Sequence, residues 1–301
     1  MTTRTVLHML SPRPQVSPFD INMAVDAGFD MIFPHANVSP DQVYGLTQDI
    51  IFSRVPKGVK ETAIFIGGRD IGIALDMMET VKKAMVPPFE VSVLADPSGA
   101  FTTATALVAS VEKQLKEKHD LEMKDCRAVV FGGTGPVGIS TGVIASLAGA
   151  DVTLVDHLSL DTAMQTAAEY SRRCGCHLKG TFSSSGASKS WLVNRADILF
   201  NTTKAGIQVL DKEMLEDTTR LKVVGDVNAV PPAGVEGVKA KDMGAPLSTT
   251  PNSPDAVSVG PLAVGGIKYK LQNAMLRDLL RTEEHVYFDF REAFTRARRL
   301  V

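Results

Sequence analysis

A chain of 301 residues, 44% apolar and 22% charged, is long enough for one large or two ordinary domains of a soluble globular protein. Its formal net charge of −2 supplies no basic field for nucleic acid or an anionic membrane, and no stretch reaches the roughly 18 uninterrupted apolar residues of a membrane span. The three cysteines match no metal-site spacing and Val6 to Leu10 is too short for a secretory signal, so reduced thiols in a cytoplasmic protein are expected.

Taken in order, residues 5–10 read as a strand and the three prolines of residues 11–18 as a loop. A helix is expected from near Pro18 to Gly28, a second strand over 30–34, and a helix from Ser39-Pro40-Asp41 to about Phe52. A third strand at 62–66 ends in Gly67-Gly68. Asp70 then caps a helix through Lys83, and a fourth strand at 89–94 ends in Asp96-Pro97-Ser98-Gly99 before a long helix over 102–118. Four strand-helix repeats predict a parallel sheet with helices on its faces.

The second half opens on Arg127 to Asp156. An apolar run, Ala128 to Phe131, turns through Gly133-Thr134-Gly135-Pro136-Val137-Gly138 into a helix of small residues, and a second apolar run is closed by Asp156. Gly133, Gly135 and Gly138 have the G-x-G-x-x-G spacing that allows a tight turn, backbone approach to a pyrophosphate and close helix packing; the helix N-terminus attracts the phosphates. The ordered strand, loop, helix, strand and terminal acid predict a dinucleotide site rather than a merely structural turn. A carboxylate at Asp156 accepts ribose hydroxyls and repels a 2′-phosphate, so NAD is expected to be preferred, with His157 leaving use of NADP open. Further strands are expected at 177–182, 197–201 and 222–226, with Thr202 and Asn228 just beyond the last two as cofactor contacts; a helix is expected at 160–174 and a short one around Trp191. Residues 240–266 read as a long irregular connection, followed by a helical region, 268–299, broken around 285–289.

The architecture expected is two-domain α/β: residues 1–122, completed by 268–301, as the substrate domain, and 123–267 as a Rossmann-type NAD(P)-binding domain. Substrate-side candidates are few. Asp20 lies in the first helical turn, where by default it reads as an acid favoured by the helix dipole. Asp96, Ser98, Gly99 and Thr102 lie at the carboxyl end of a parallel strand, where open α/β sheets bind ligands, or form an ordinary strand-to-helix turn. Lys268 and Lys270 follow Gly265-Gly266 at an expected helix start, where lysine opposes the dipole; Lys270 also reads as a solvated surface lysine. The six histidines form no metal-ligand spacing, and no hydrolase triad or zinc motif is found.

These residues carry a resemblance. Ser17-Pro18-Phe19-Asp20, Thr62 to Gly68, Thr102-Thr103-Ala104, Gly133 to Gly138, Asp226 to Pro232 and Gly265-Gly266-Ile267-Lys268-Tyr269-Lys270-Leu271 span nearly the whole chain in one order. The chain resembles the bacterial NAD(P)-dependent methylene-tetrahydromethanopterin dehydrogenases of methylotrophs. The resemblance implies oxidation of the methylene to the methenyl carrier by direct hydride transfer in formaldehyde oxidation. It puts Lys268 and Asp20 in the pterin cleft, and it implies self-association, with a trimer as one option. The strictly NADP-using relatives carry Gly-Arg-Lys where this chain has Asp156-His157-Leu158, which favours the NAD-capable branch. Two alternatives stand beside this reading: a methylene-tetrahydrofolate dehydrogenase, and a non-catalytic NAD(P)-binding sensor.

Overall fold

The computed structural model describes residues 4–282 and 284–301. In chain order the elements are β1 (Val6–Leu10), α1 (Pro18–Ala27), β2 (Met31–His35), α2 (Val43–Phe52), α3 (Pro56–Val59), β3 (Thr62–Ile66), α4 (Ile71–Ala84), β4 (Ser92–Ala95) and α5 (Ala100–His119). Then follow β5 (Arg127–Phe131), α6 (Pro136–Leu147), β6 (Asp151–Asp156), α7 (Leu160–Cys174), β7 (Leu178–Phe182), α8 (Gly186–Val193), β8 (Ile198–Asn201), α9 (Lys212–Leu215) and β9 (Val223–Asp226). The chain ends with β10 (Met243–Pro246), β11 (Val257–Val259), α10 (Pro261–Asp278), β12 (Tyr287–Phe288) and α11 (Phe290–Ala297). Two compact units result. One runs to Thr102 and resumes over Tyr269–Ala293; the other comprises Thr103–Lys268 and Phe294–Val301. The change of unit thus falls near the start of α5, whereas the sequence pattern puts it beyond that helix.

The first unit holds a five-stranded sheet in the order β12-β4-β3-β1-β2, with every neighbouring pair parallel. Central β3 is buried along its whole length, which is why Thr62-Ala63-Ile64-Phe65-Ile66 lacks an apolar-polar alternation. Local chemistry fixes the helix ends. Ser17 accepts from the Asp20 N–H with Pro18 in the first turn, Gly28 closes α1 at φ +101°, and Asp70 accepts from the Ile73 N–H at 2.9 Å to start α4.

The second unit holds seven strands in the order β10-β11-β9-β8-β5-β6-β7, all neighbours parallel except β10 on β11. Outward from β5, the chain builds β6 and β7 on one side and β8, β9 and β11 on the other. The order therefore reverses between β5 and β8, the switch point of a doubly wound nucleotide-binding sheet.

One stretch departs from expectation. Residues 240–266 are not a long irregular connection: they contain β10 and β11, and α10 already starts at Pro261. Gly265, Gly266, Lys268 and Lys270 therefore lie inside a helix. Two adjacent glycines each cost a helix about 1 kcal/mol relative to alanine, which makes them read as a break. Burial of Val264, Ile267, Leu271 and Met275 at helical spacing overrides that cost. The objection that Lys268 opposes the dipole falls away, because it stands two turns in. Two-residue β12, which interrupts the expected C-terminal helical region, is too short to show a period.

Candidate functional site

In the second unit the glycine loop sits at the switch point. Its three motif glycines are glycine for different reasons. A Cβ on Gly133 would come within 2.8 Å of the Leu154 Cβ and the Val155 nitrogen, and one on Gly138 would overlap the Gly132 carbonyl. Both are demanded by close packing of loop, helix and strand. Gly135 differs: it caps α6 at φ −81°, open to any residue, and a Cβ there would only touch the Gly132 oxygen at 3.4 Å. Internal packing gives no strong reason for a glycine, so the missing side chain leaves space outside the loop. In the first turn of α6, the amides of Val137 and Gly138 precede the first intrahelical donor, Ile139, and Pro136 has none to give. An open glycine beside free amides at a positive helix end fits a pyrophosphate. Thr134 lies in this loop, and Pro136 and Val137 begin α6.

Asp156 ends β6 and is 7% exposed. Its Oδ1 accepts from the Leu158 and Ser159 amides at 2.7 and 2.8 Å, and its Oδ2 from the Thr134 hydroxyl at 2.5 Å. Burial pushes its pKa up, but these hydrogen bonds, with the charge of His157, outweigh burial and hold the carboxyl below its usual range. The carboxylate is ionised and also shapes the turn into α7; His157 is exposed beside it.

Across the switch point, Thr202 donates its hydroxyl to the Phe131 carbonyl at 2.8 Å, clamping β8 to the strand that enters the loop. Asn228 is buried and ties its own loop to the one after β8: its Oδ1 accepts from the Gly206 and Val230 amides, and its Nδ2 donates to the Pro232 carbonyl at 2.9 Å. Asp226, two residues earlier, accepts from Asn201, Asn228 and Val235; burial pushes its carboxyl up despite these bonds. Asn201 and Asp226 organise the β8 and β9 ends; Asp226 opens the stretch Asp226 to Pro232, but nothing in the sequence gives either residue a role, because ordinary strand-end polar residues look the same.

In the first unit, Asp20 is the first-turn acid of α1 and is only 4% exposed. Its Oδ1 accepts from the Nε2 of Gln272 at 2.9 Å, and Gln272 is itself fully buried on α10. No motif announces Gln272; only the return of α10 brings it to Asp20. Lys268 is half-buried one turn earlier on α10, on the same side as Gln272, while Lys270 is exposed and turned well away by the helical period. Gly265 and Gly266 are exposed, with nothing within 4 Å of an added Cβ, so packing does not explain either glycine. At the end of β4, buried Asp96 receives the Phe101 and Thr102 amides at 3.0 and 3.1 Å and the Thr102 hydroxyl at 2.6 Å, capping α5. Ser98, exposed at φ 55°, donates to the Gly68 carbonyl at 2.9 Å, and Gly99 follows at φ +65°. Asp96 and Thr102 thus build the turn, while Ser98 lies on its surface.

The fold pairs two histidines far apart in sequence. His8 Nδ1 lies 3.1 Å from His35 Nε2 with the rings stacked at 5.3 Å. Burial, then repulsion from His35 and Arg54, lowers the pKa of His8 to about 4. The unfolded chain takes up this proton near pH 6.5 and the folded chain does not. Stability is therefore full above pH 6.5 and falls as the pH drops toward 4. Discounted for partial exposure, the loss is about 1–2 kcal/mol at pH 4.5. Urea midpoints compared at pH 7.5 and pH 5 should show a smaller drop for His8→Phe than for the parent chain. Among the described residues, no group of three or more His, Cys, Asp or Glu is placed to hold a metal ion, and no helix is long and apolar enough to cross a membrane.

Residues 18–98 match the family description "methylene-tetrahydromethanopterin dehydrogenase, N-terminal". The chain is 41% identical over 291 residues to the NAD(P)-dependent methylenetetrahydromethanopterin dehydrogenase of Methylorubrum extorquens, covering 97% of each chain. It is 32% identical over 285 residues to the bifunctional protein MdtA of the same organism, covering 95% of each. Among solved structures, it is similar to shikimate 5-dehydrogenase from Listeria monocytogenes in complex with shikimate and NAD, with TM-score 0.54, 13% identity and coverage of 94% of this chain and 93% of that one. The malic enzyme of Entamoeba histolytica gives a TM-score of 0.52 at 13% identity, with coverage of 98% and 75%. At these identities the structural likeness speaks for the fold alone.

Proposed function

The chain belongs to the methylene-tetrahydromethanopterin dehydrogenase family, and from that premise we propose how its residues carry out the reaction. It is an NAD(P)-dependent oxidoreductase of one-carbon metabolism that oxidises methylene-tetrahydromethanopterin to the methenyl form. The observation that carries the nucleotide half is Gly135, whose open face lies beside the free amides of α6. The nicotinamide, when bound, supplies the acceptor for the hydride. Gly133 and Gly138 let the loop close tightly enough to present its amides, and Thr202 and Asn228 hold the neighbouring strand ends in place. Asp156 faces the ribose; its charge favours NAD over NADP.

The methenyl product is a resonance-stabilised cation, so no side chain has to remove a proton, and the residues at the pterin serve orientation and electrostatics. Asp20 supplies a buried negative charge, held by Gln272, toward the carbon that becomes cationic. Lys268 orients the carrier by hydrogen bonding. Asp96, Ser98, Gly99, Thr102, Gly265, Gly266 and Lys270 are assigned to the remaining substrate contacts, with Asp96 and Thr102 acting through the turn they build. The reading extends to a two-domain enzyme, with a substrate domain and a nucleotide domain, working in the cytoplasm as a homo-oligomer.

Assay of methylene-tetrahydromethanopterin and methylene-tetrahydrofolate, each with NAD and with NADP, tests this function. Turnover of the methanopterin carrier, more efficient with NAD, is expected. Turnover of the folate carrier alone, or nucleotide binding without turnover of either, would sink it. Asp156→Gly combined with His157→Arg should shift the preference toward NADP by roughly tenfold or more, because a repulsive charge gives way to an attractive one. An unchanged NAD/NADP efficiency ratio would remove the role given to Asp156.

A further inference from the structure

The Asp156 carboxylate offers about four acceptor positions, two on each oxygen. Three are in use: the Leu158 and Ser159 amides fill Oδ1, and the Thr134 hydroxyl takes one place on Oδ2. The two amides belong to the turn itself and cannot leave without unmaking it. Thr134 is the exception: its donor sits on a half-exposed side chain of the glycine loop, so the bond can be lost without disturbing a strand or a helix. A ribose with two hydroxyls thus meets a carboxylate with one acceptor free and a charge already shared among three donors.

We propose that Thr134 sets the nucleotide preference by acting through Asp156. Its hydroxyl withholds one acceptor from the ribose of NAD and tempers the repulsion that the carboxylate exerts on the 2′-phosphate of NADP. Thr134 is a positioning residue that narrows the gap between the two nucleotides. This rests on Asp156 being the residue that faces the ribose.

The test titrates the pterin-free protein with NADH and with NADPH, following nucleotide fluorescence, and compares the two dissociation constants. Thr134→Val and Thr134→Ala remove the donor, and each should raise the NADPH-to-NADH ratio by about tenfold, the lower end of the worth of one hydrogen bond to a charged acceptor. Thr134→Ser restores the hydroxyl and should return the ratio to within about twofold of the parent. A ratio unchanged in both Val and Ala variants overturns the proposal. So does a ratio that falls, since the hydroxyl would then be holding Asp156 ready for the ribose. Asp156→Asn in the same titration separates the two layers. If the ratio falls in Asp156→Asn but does not move in Thr134→Val, only the role of Thr134 is lost. If it moves in neither, the role of Asp156 goes with it.

Discussion

Lys268→Ala is expected to lower kcat/KM for the pterin by roughly 100-fold, and Asp20→Asn to lower kcat by a similar factor. The two losses should differ in kind. Asparagine at position 20 keeps an oxygen for the Gln272 amide, so the 2.9 Å bond and the packing around it survive while the negative charge is removed. What is lost is stabilisation of a cation that exists only as the hydride departs, so the fall should appear in kcat with little change in KM. Lys268 is half-buried and stands a turn before Gln272 on a helix anchored by Leu271 and Met275. Its removal loosens the bound carrier, raising KM and lowering kcat together. Asp20→Ala also removes the buried 2.9 Å bond from Gln272 to this carboxylate, at a cost of about 1–3 kcal/mol, and should lower the melting temperature as well. Steady-state kinetics of Lys268→Ala and Asp20→Asn that match the parent in both constants would refute the assignment.

The second large effect separates two glycines three residues apart. Gly138→Ala puts a methyl group into the Gly132 carbonyl, where backbone meets backbone and neither side yields. It should destabilise the second unit by roughly 2–3 kcal/mol and abolish nucleotide binding with it. Gly135→Ala meets only a marginal contact at a φ that alanine adopts freely, so the fold should hold to within about 1 kcal/mol. Nucleotide affinity should nonetheless fall by about 10- to 100-fold, because the methyl group occupies the space kept for the pyrophosphate. Thermal unfolding alongside NADH titration distinguishes them. Equal loss of stability in both variants would mean that Gly135 is there for packing after all.

The stretch from β5 to α7 is legible in sequence because its signals agree. The short apolar runs of β5 and β6, the glycine spacing and the acid at 156 each rest on local chemistry, and α7 starts at its Ser159 cap. What is not legible depends on residues far apart in the chain. Gly265-Gly266 breaks a helical pattern by propensity, and only the buried row of Val264, Ile267, Leu271 and Met275 rescues the helix. Gln272 reads as an ordinary helical residue until α10 returns to the first unit and meets Asp20, 252 residues away in sequence. His8 and His35 find each other only because β1 pairs with β2. The position of Asp156 is visible in sequence; that three donors already share its carboxylate is not, since Thr134 lies 22 residues upstream.

Strand β12 pairs with β4 at the edge of the first sheet, and it is made near the end of the chain together with the segment that bears Gln272. Biosynthesis therefore delivers the first sheet unfinished. While the second unit is being made, β4 has an open edge and the bond between Gln272 and Asp20 is not yet formed. A chain that terminates after Lys268 keeps the whole glycine loop and Asp156 but has neither the last strand nor Gln272. Prematurely ended chains should thus be discarded for a defect in the half of the protein synthesised first.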